Sequence, residues 1–198
     1  MQTIIRIQLF KHQLMSILSK SRLTALTASR PGYRTFSEVL NEVKNERRPL
    51  AETTIFLSHS HEDLKDGSVD KTIVFLRNLG IRIYIDSHDS SMPPLTNADT
   101  ANKIKRAVTD NRKFIFLATN NSIKSRWCNW ELGFGDAKKY INHIALFPLS
   151  EDSGSWQGNE YLRIYPRIEE TTQGSNIYRV MYPDGKQLSV TDWLKLLN

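Results

Sequence analysis

The sequence predicts an α/β domain in which a parallel sheet is covered by helices on both faces. Three observations carry that prediction. Four short apolar runs have the length of buried strands: Thr54-Ile-Phe-Leu-Ser58, Ile81-Arg-Ile-Tyr-Ile85, Phe114-Ile-Phe-Leu-Ala118 and Ile144-Ala-Leu-Phe147. Between them, apolar residues recur at helical spacing. The first three runs end in polar residues, at Ser58-His59, Asp86 and Thr119-Asn120. Strands buried on both faces read as continuous apolar runs, and sites in such sheets gather beyond the carboxyl ends of the strands.

The elements follow in order. Residues 1–50 read as a helical extension: one helix with Leu14, Ile17 and Leu18 on its apolar face, a break at Pro31-Gly32, and a second helix from about Ser37 to Arg48. In that second helix Ser37 is the N-cap, and Phe36 and Leu40 face inward. Basic residues and the lack of acids before Glu38 give the segment some look of a targeting peptide. Docking on the main domain is the expectation, because Arg6, Gln8, Lys11, His12 and Gln13 break up any secretory apolar core.

Residues 51–150 read as the domain core. After the first strand, Ser58-His-Ser-His-Glu-Asp63 is a dense polar loop in which Asp63 caps the next helix. Val69, Ile73, Leu76 and Leu79 build that helix, and Gly80 stops it. The second strand ends at Asp86. Residues 87–99 form a long polar loop with two prolines, a length that compact domains reserve for function or disorder. Ala101, Ile104 and Val108 give the next helix, and Asn120-Asn-Ser122 caps the one after.

Residues 151–198 complete the domain. Tyr161 to Ile168 reads as extended. Ile177–Tyr182 and Gln187–Val190 read as a hairpin turning at Asp184-Gly185, and Thr191 or Asp192 caps a last helix carrying Trp193, Leu194 and Leu197.

Composition sets limits. The chain has 198 residues and a formal charge of +6. The first 50 residues hold nine Lys and Arg against Glu38, Glu42 and Glu46, so they carry the whole excess. The rest is neutral, which argues against a nucleic-acid-binding or membrane-binding body. Cys128 is the single cysteine, so no disulfide forms within the chain and a reducing cytoplasm is the expected location. No apolar run approaches a membrane span.

The stretch Ser122–Asp136, taken as one helix, places Trp127, Trp130, Glu131 and Phe134 on one face. Three aromatics in that stripe should face a core. A carboxylate among them must be paired, be hydrogen-bonded or line a cavity. Two readings stay open: an ion pair with Lys124, Arg126 or another element, or a functional carboxylate beside the polar loops.

Other constellations point less far. His59 and His61 project to opposite sides of an extended chain, and no matching cluster offers further metal ligands. No metal site is expected. Ser58, His59 and Ser60 are able to offer hydrogen bonds to a polar ligand. Cys128 has no histidine neighbour and reads as a packing residue. Gly133-Phe-Gly135 follows no strand, so it is no dinucleotide fingerprint; its glycines suit close approach of a neighbouring backbone.

Phe56-Leu-Ser-His-Ser-His-Glu-Asp63, Ile83-Tyr-Ile-Asp86, the Pro93-Pro94 loop and Ser125-Arg-Trp-Cys-Asn-Trp-Glu-Leu132 together resemble a bacterial Toll/interleukin-1 receptor (TIR) domain over about residues 52–150. The resemblance implies a flavodoxin-like sheet and, as in many bacterial members, cleavage of NAD+ at the nicotinamide–ribose bond. It puts the catalytic carboxylate at Glu131. It implies that Ser58, His59, Ser60, Asp86 and Trp127 contact the substrate, with NAD+ as substrate and no further cofactor. It also implies self-association through the loop at about Ser87–Asp99, the family's BB loop, and an ADP-ribose-derived signal sensed by a downstream effector in anti-phage defence. The rival expectation is a non-catalytic adaptor that acts only through TIR–TIR contacts. A nucleoside deoxyribosyltransferase-like enzyme of similar fold is a third.

Overall fold

The structure is a computed structural model that describes residues 17–28, 36–45, 54–84, 98–152, 156, 158 and 160–196. In chain order these form β1 (Leu18–Ser19), α1 (Lys20–Thr27), α2 (Phe36–Asn45), β2 (Ile55–Ser58), α3 (His61–Lys65), α4 (Ser68–Asn78) and β3 (Ile83–Tyr84). Next come α5 (Ala98–Asp110), β4 (Lys113–Ala118), α6 (Asn120–Lys124), α7 (Arg126–Lys138) and β5 (Ile144–Ser150). The last are β6 (Arg167–Glu170), β7 (Tyr178–Met181), β8 (Gln187–Ser189) and α8 (Val190–Lys195).

The strands pair in the order β3-β2-β4-β5-β6-β7-β8, and β1 lies on β5. From β3 to β6 every pairing is parallel, whereas β6-β7 and β7-β8 are antiparallel. Counted from β2, the parallel part has the 2-1-3-4-5 order of flavodoxin-like folds, as the sequence led us to expect.

Two cores flank the sheet, because side chains alternate across a strand. Ile55, Leu57, Ile115 and Leu117 face one way and pack with Val69, Ile73 and Leu76 of α4 and Leu23 and Leu26 of α1. Phe56, Phe114, Phe116 and Leu146 face the other way and pack with Ile104 and Val108 of α5 and Cys128 and Leu132 of α7. Ser58, two residues after Phe56 in β2, belongs to this second face.

The ends of the chain join this frame. Leu18 and Ser19 extend the sheet beside Leu149 and Ser150. Ile17 and Leu18 thus lead into a strand, not the helical face expected for them, because unsatisfied backbone at the end of β5 gives them a ladder partner. Lys20 bridges Asp66 at 2.8 Å and Glu151 at 2.6 Å, and the Ser21 amide donates to Asp152 at 2.8 Å. Ser37 lies inside α2 rather than capping it, and Val39 of that helix is buried. At the other end, β7 and β8 form the expected hairpin, with Gly185 at φ 91°.

Several boundaries differ from expectation for local reasons. The helix read over Ser122–Asp136 is two helices, because Thr119 caps α6 and Ser125 caps α7. Asn120-Asn-Ser122 is therefore the first turn of α6 and not a cap. Residues 160–164 form a 3-10 turn before β6, in place of one extended segment. Ser189 caps α8, accepting from the Asp192 amide at 3.0 Å, so neither Thr191 nor Asp192 is the cap. Asp86, nearly all of the 87–99 loop, Leu14, Pro31-Gly32, Leu197 and the side chains of Phe36 and Leu40 lie outside the described residues.

Candidate active site at the switch point of the sheet

After β2 the chain turns to β3 on one side, and after β4 it turns to β5 on the other. Connections that diverge from adjacent strands leave a crevice at the carboxyl edge. Its walls are the residues that follow β2 (His59, Ser60 and α3) and those that follow β4 (Thr119 and α6).

Glu131 reaches this crevice from α7. The residues of α7 buried against the sheet are Cys128, Glu131, Leu132 and Gly135, one face at helical spacing. Ser125 starts the helix by accepting from the Cys128 amide at 3.2 Å. Gly135 fixes how closely the helix approaches, since a methyl there would sit 3.1 Å from the Phe114 ring. It admits a side chain, not the neighbouring backbone that its spacing suggested. One turn earlier, the Glu131 carboxylate meets the last residue of β2: Ser58 Oγ donates to Glu131 Oε2 at 2.5 Å. Both residues are buried, Glu131 at 3% and Ser58 at 1% exposure. A buried carboxylate keeps its charge only where donors replace water, and a hydroxyl at this distance is such a donor.

The stripe expected to face the core does so only in part. Trp127, Trp130 and Phe134 are half-buried at the margin of the second core and stack on one another, with ring centroids 4.9 Å apart for the tryptophans and 6.1 Å for Trp130 and Phe134. The Ser125 cap and the close packing at Gly135 turn Cys128, Leu132 and Gly135 inward instead. Cys128 packs as a buried thiol that is in no disulfide.

His59 is buried, and its Nδ1 lies 3.1 Å from the Leu57 carbonyl. A carbonyl only accepts, so Nδ1 carries the proton. His61 is exposed in the first turn of α3. Ser60 caps α3, its hydroxyl accepting from the Glu62 amide at 3.3 Å, while its own amide donates to Ser122 Oγ at 3.2 Å. Ser58, His59, Ser60 and Glu131 thus share one edge of the sheet, Trp127 lies in the first turn of α7, and Asp86 is outside the described residues.

Two residues escaped the sequence reading. Asp63 does not cap the helix after the loop. It is fully buried within α3, where it accepts from Thr119 Oγ1 at 2.7 Å, Asn121 Nδ2 at 2.8 Å and Ser122 Oγ at 3.1 Å. The signal was the all-polar tetrad Thr119–Ser122 after the third apolar run, which needs an acceptor. Trp156, from the loop after β5, donates its indole N–H to the Ala118 carbonyl at the end of β4. Gly158 makes room for its ring, since a methyl there would clash with it.

These features define an α/β domain of flavodoxin-like topology with a buried carboxylate at its switch point. The chain belongs to the TIR domain family, whose model matches residues 55–183, reaching past the resemblance read over 52–150. Among curated proteins it is similar to "Probable 3' cyclic ADP-D-ribose synthase ThsB'" of Bacillus cereus (strain MSX-D12), at 30% identity over 122 residues. It is also similar to "Putative cyclic ADP-D-ribose synthase TIR2" of Cytobacillus dafuensis, at 33% identity over 84 residues. The matches cover 60% and 40% of this chain, and 61% and 21% of the relatives' own lengths.

Proposed function

We propose that this protein is an NAD+-consuming TIR enzyme that breaks the nicotinamide–ribose bond, with Glu131 as its essential group. The observation that carries the reading is the Glu131 carboxylate, buried at the switch point and 2.5 Å from the hydroxyl of Ser58. In the reaction the C1′–N bond breaks, its electron pair goes to the pyridine nitrogen, and the ribose is left with oxocarbenium character. A fixed carboxylate in a water-poor setting stabilises that developing charge. The donation from Ser58 orients the carboxylate, while Ser58, His59 and Ser60 line the adjoining wall for the rest of the substrate. Asp86 and Trp127 are proposed as further contacts.

The acceptor decides the product. Water gives ADP-ribose, and a group of the substrate itself gives a cyclic isomer; in both cases the acceptor bonds to C1′ and loses a proton. The relatives' names favour cyclisation. On this reading the product is a cytoplasmic signal for an effector in anti-phage defence, and copies assemble through the Ser87–Asp99 loop.

The test is incubation of the full chain with NAD+ at high protein concentration with a crowding agent, followed by chromatography. Nicotinamide release by the wild type, lost in Glu131→Gln with the fold retained, supports the reading. Wild-type turnover by Glu131→Gln overturns it. A wild type that self-associates yet leaves NAD+ intact replaces it with the adaptor reading.

A further inference from the structure

We propose that Asp63 is a positioning residue that clamps the two walls of the crevice at a fixed separation; this rests on the reading of the site given above. Its carboxylate belongs to the wall that follows β2. Its side-chain donors, Thr119 Oγ1, Asn121 Nδ2 and Ser122 Oγ, belong to the wall that follows β4. The contact is buried, so water does not substitute for a lost partner.

The hydroxyl protons have one sensible direction. A carboxylate only accepts, so Thr119 and Ser122 both donate to Asp63. Their oxygens are then left to accept: Thr119 Oγ1 takes the Ser122 amide at 3.0 Å, and Ser122 Oγ takes the Ser60 amide at 3.2 Å. The chain Ser60 N–H to Ser122 Oγ–H to Asp63 therefore fixes the backbone two residues beyond Ser58, which in turn holds Glu131. Asp63 sets the crevice without touching the reacting atoms.

Three variants test this. Asp63→Ala leaves the hydroxyls of Thr119 and Ser122 without their acceptor. Ser122→Ala is milder: it cuts the link from Ser60 and one donor to Asp63, and leaves Thr119 and Asn121 on the carboxylate. In Asp63→Asn every donor is satisfied again once the half-exposed Asn121 amide turns to present its oxygen, so geometry is kept without charge. Misplacement by about 1 Å costs up to roughly 10²-fold in rate. The expected result is a fall in kcat of about 10- to 100-fold for Asp63→Ala and about 5-fold or more for Ser122→Ala, with KM for NAD+ within about twofold. Asp63→Asn should retain kcat within about threefold.

The clamp also has a readout independent of turnover. Amide hydrogen exchange at Ser60, whose acceptor is Ser122 Oγ, should quicken in Ser122→Ala while β4 and β5 keep their protection. Unchanged exchange at the Ser60 amide overturns the clamp even if the protein proves inactive on NAD+. Unchanged kcat in Asp63→Ala, measured below its lowered Tm, reduces Asp63 to a stability residue and also overturns it. Loss of activity in Asp63→Asn equal to that in Asp63→Ala would mean that charge rather than placement matters, which overturns it too.

Discussion

Along the carboxyl edge of the sheet the buried charges are carboxylates with donors in reach: Glu131 has Ser58, Asp63 has Thr119, Asn121 and Ser122, and Glu170 has the amides of Gly174 and Asn176. Along the amino edge they are cations crowded together. Lys113 is fully buried, its ammonium 5.0 Å from the Trp193 ring and 3.4 Å from the Leu196 carbonyl. Lys139 donates to the Asn111 carbonyl at 2.5 Å. Among the described residues neither lysine is hydrogen-bonded to an acid. Burial, then the charges of Arg112 and Lys139, pull Lys113 down to about 8. Burial also lowers Lys139, and burial with Lys113 lowers His143.

The difference comes from chain direction. Helices that connect parallel strands start at the carboxyl edge and end at the amino edge. The partial positive charge of helix starts favours acids on one side, and the exposed carbonyls of helix ends favour cations on the other. A carboxylate is thus tolerated where substrate is proposed to bind.

The strongest way to break this comparison is Glu131→Gln, which keeps shape and removes charge. Nicotinamide release should fall by about 10²–10³-fold or more with the circular dichroism spectrum unchanged. Retained turnover would reduce the carboxyl edge to a structural feature.

Ser58→Ala removes the donor and not the carboxylate. A hydrogen bond to a charged group contributes about 1.5–3 kcal/mol, so turnover should fall roughly 10- to 100-fold, read from the same assay. A near-neutral result would show that Glu131 needs no help from β2.

Lys113→Met probes the opposite edge. Because the folded pKa is depressed, the unfolded chain binds the proton first between about pH 8 and the ordinary lysine value. The charge penalty is therefore fully present below pH 8 and is relieved as pH rises through that window. The methionine variant should be more stable at pH 7 by about 1–2 kcal/mol, the low end for replacing a buried charge, because the contacts to Trp193 and Leu196 are lost as well. It should also lack the rise between pH 8 and 10. Denaturant midpoints against pH measure both.

Lys20→Met should have the smallest effect. Partial burial pulls the Lys20 pKa down, yet the hydrogen bonds to Asp66 and Glu151 hold it above the ordinary value. Both partners are substantially exposed, so the loss should be under about 1 kcal/mol and should shrink in high salt, as seen in denaturant midpoints at two ionic strengths.

How much was legible follows the same physics. The strands β2, β4 and β5 announce themselves because both of their faces are buried, and Glu131 because a charge at helical spacing among aromatics is costly. β1 is silent, since two residues carry no periodicity and their pairing is decided by the exposed end of β5. Asp63 is misread because a stretch of Ser, His and acids after a strand looks like a solvated turn, and only the sheet order brings Thr119–Ser122 against it. Trp127 and Trp130 are placed too deep, since the rotation of α7 is set by a serine and a glycine that carry no apolar signal.

The contribution of Leu18 and Ser19 to β5 has a practical side for anyone expressing this protein. A fragment trimmed to residues 55–183 would uncover the outer backbone of Leu149 and Ser150 and remove Trp193 from its place above Lys113. An open strand end beside a vacated tryptophan site is an invitation to stick to other molecules. Such a piece should precipitate where the longer chain stays in solution.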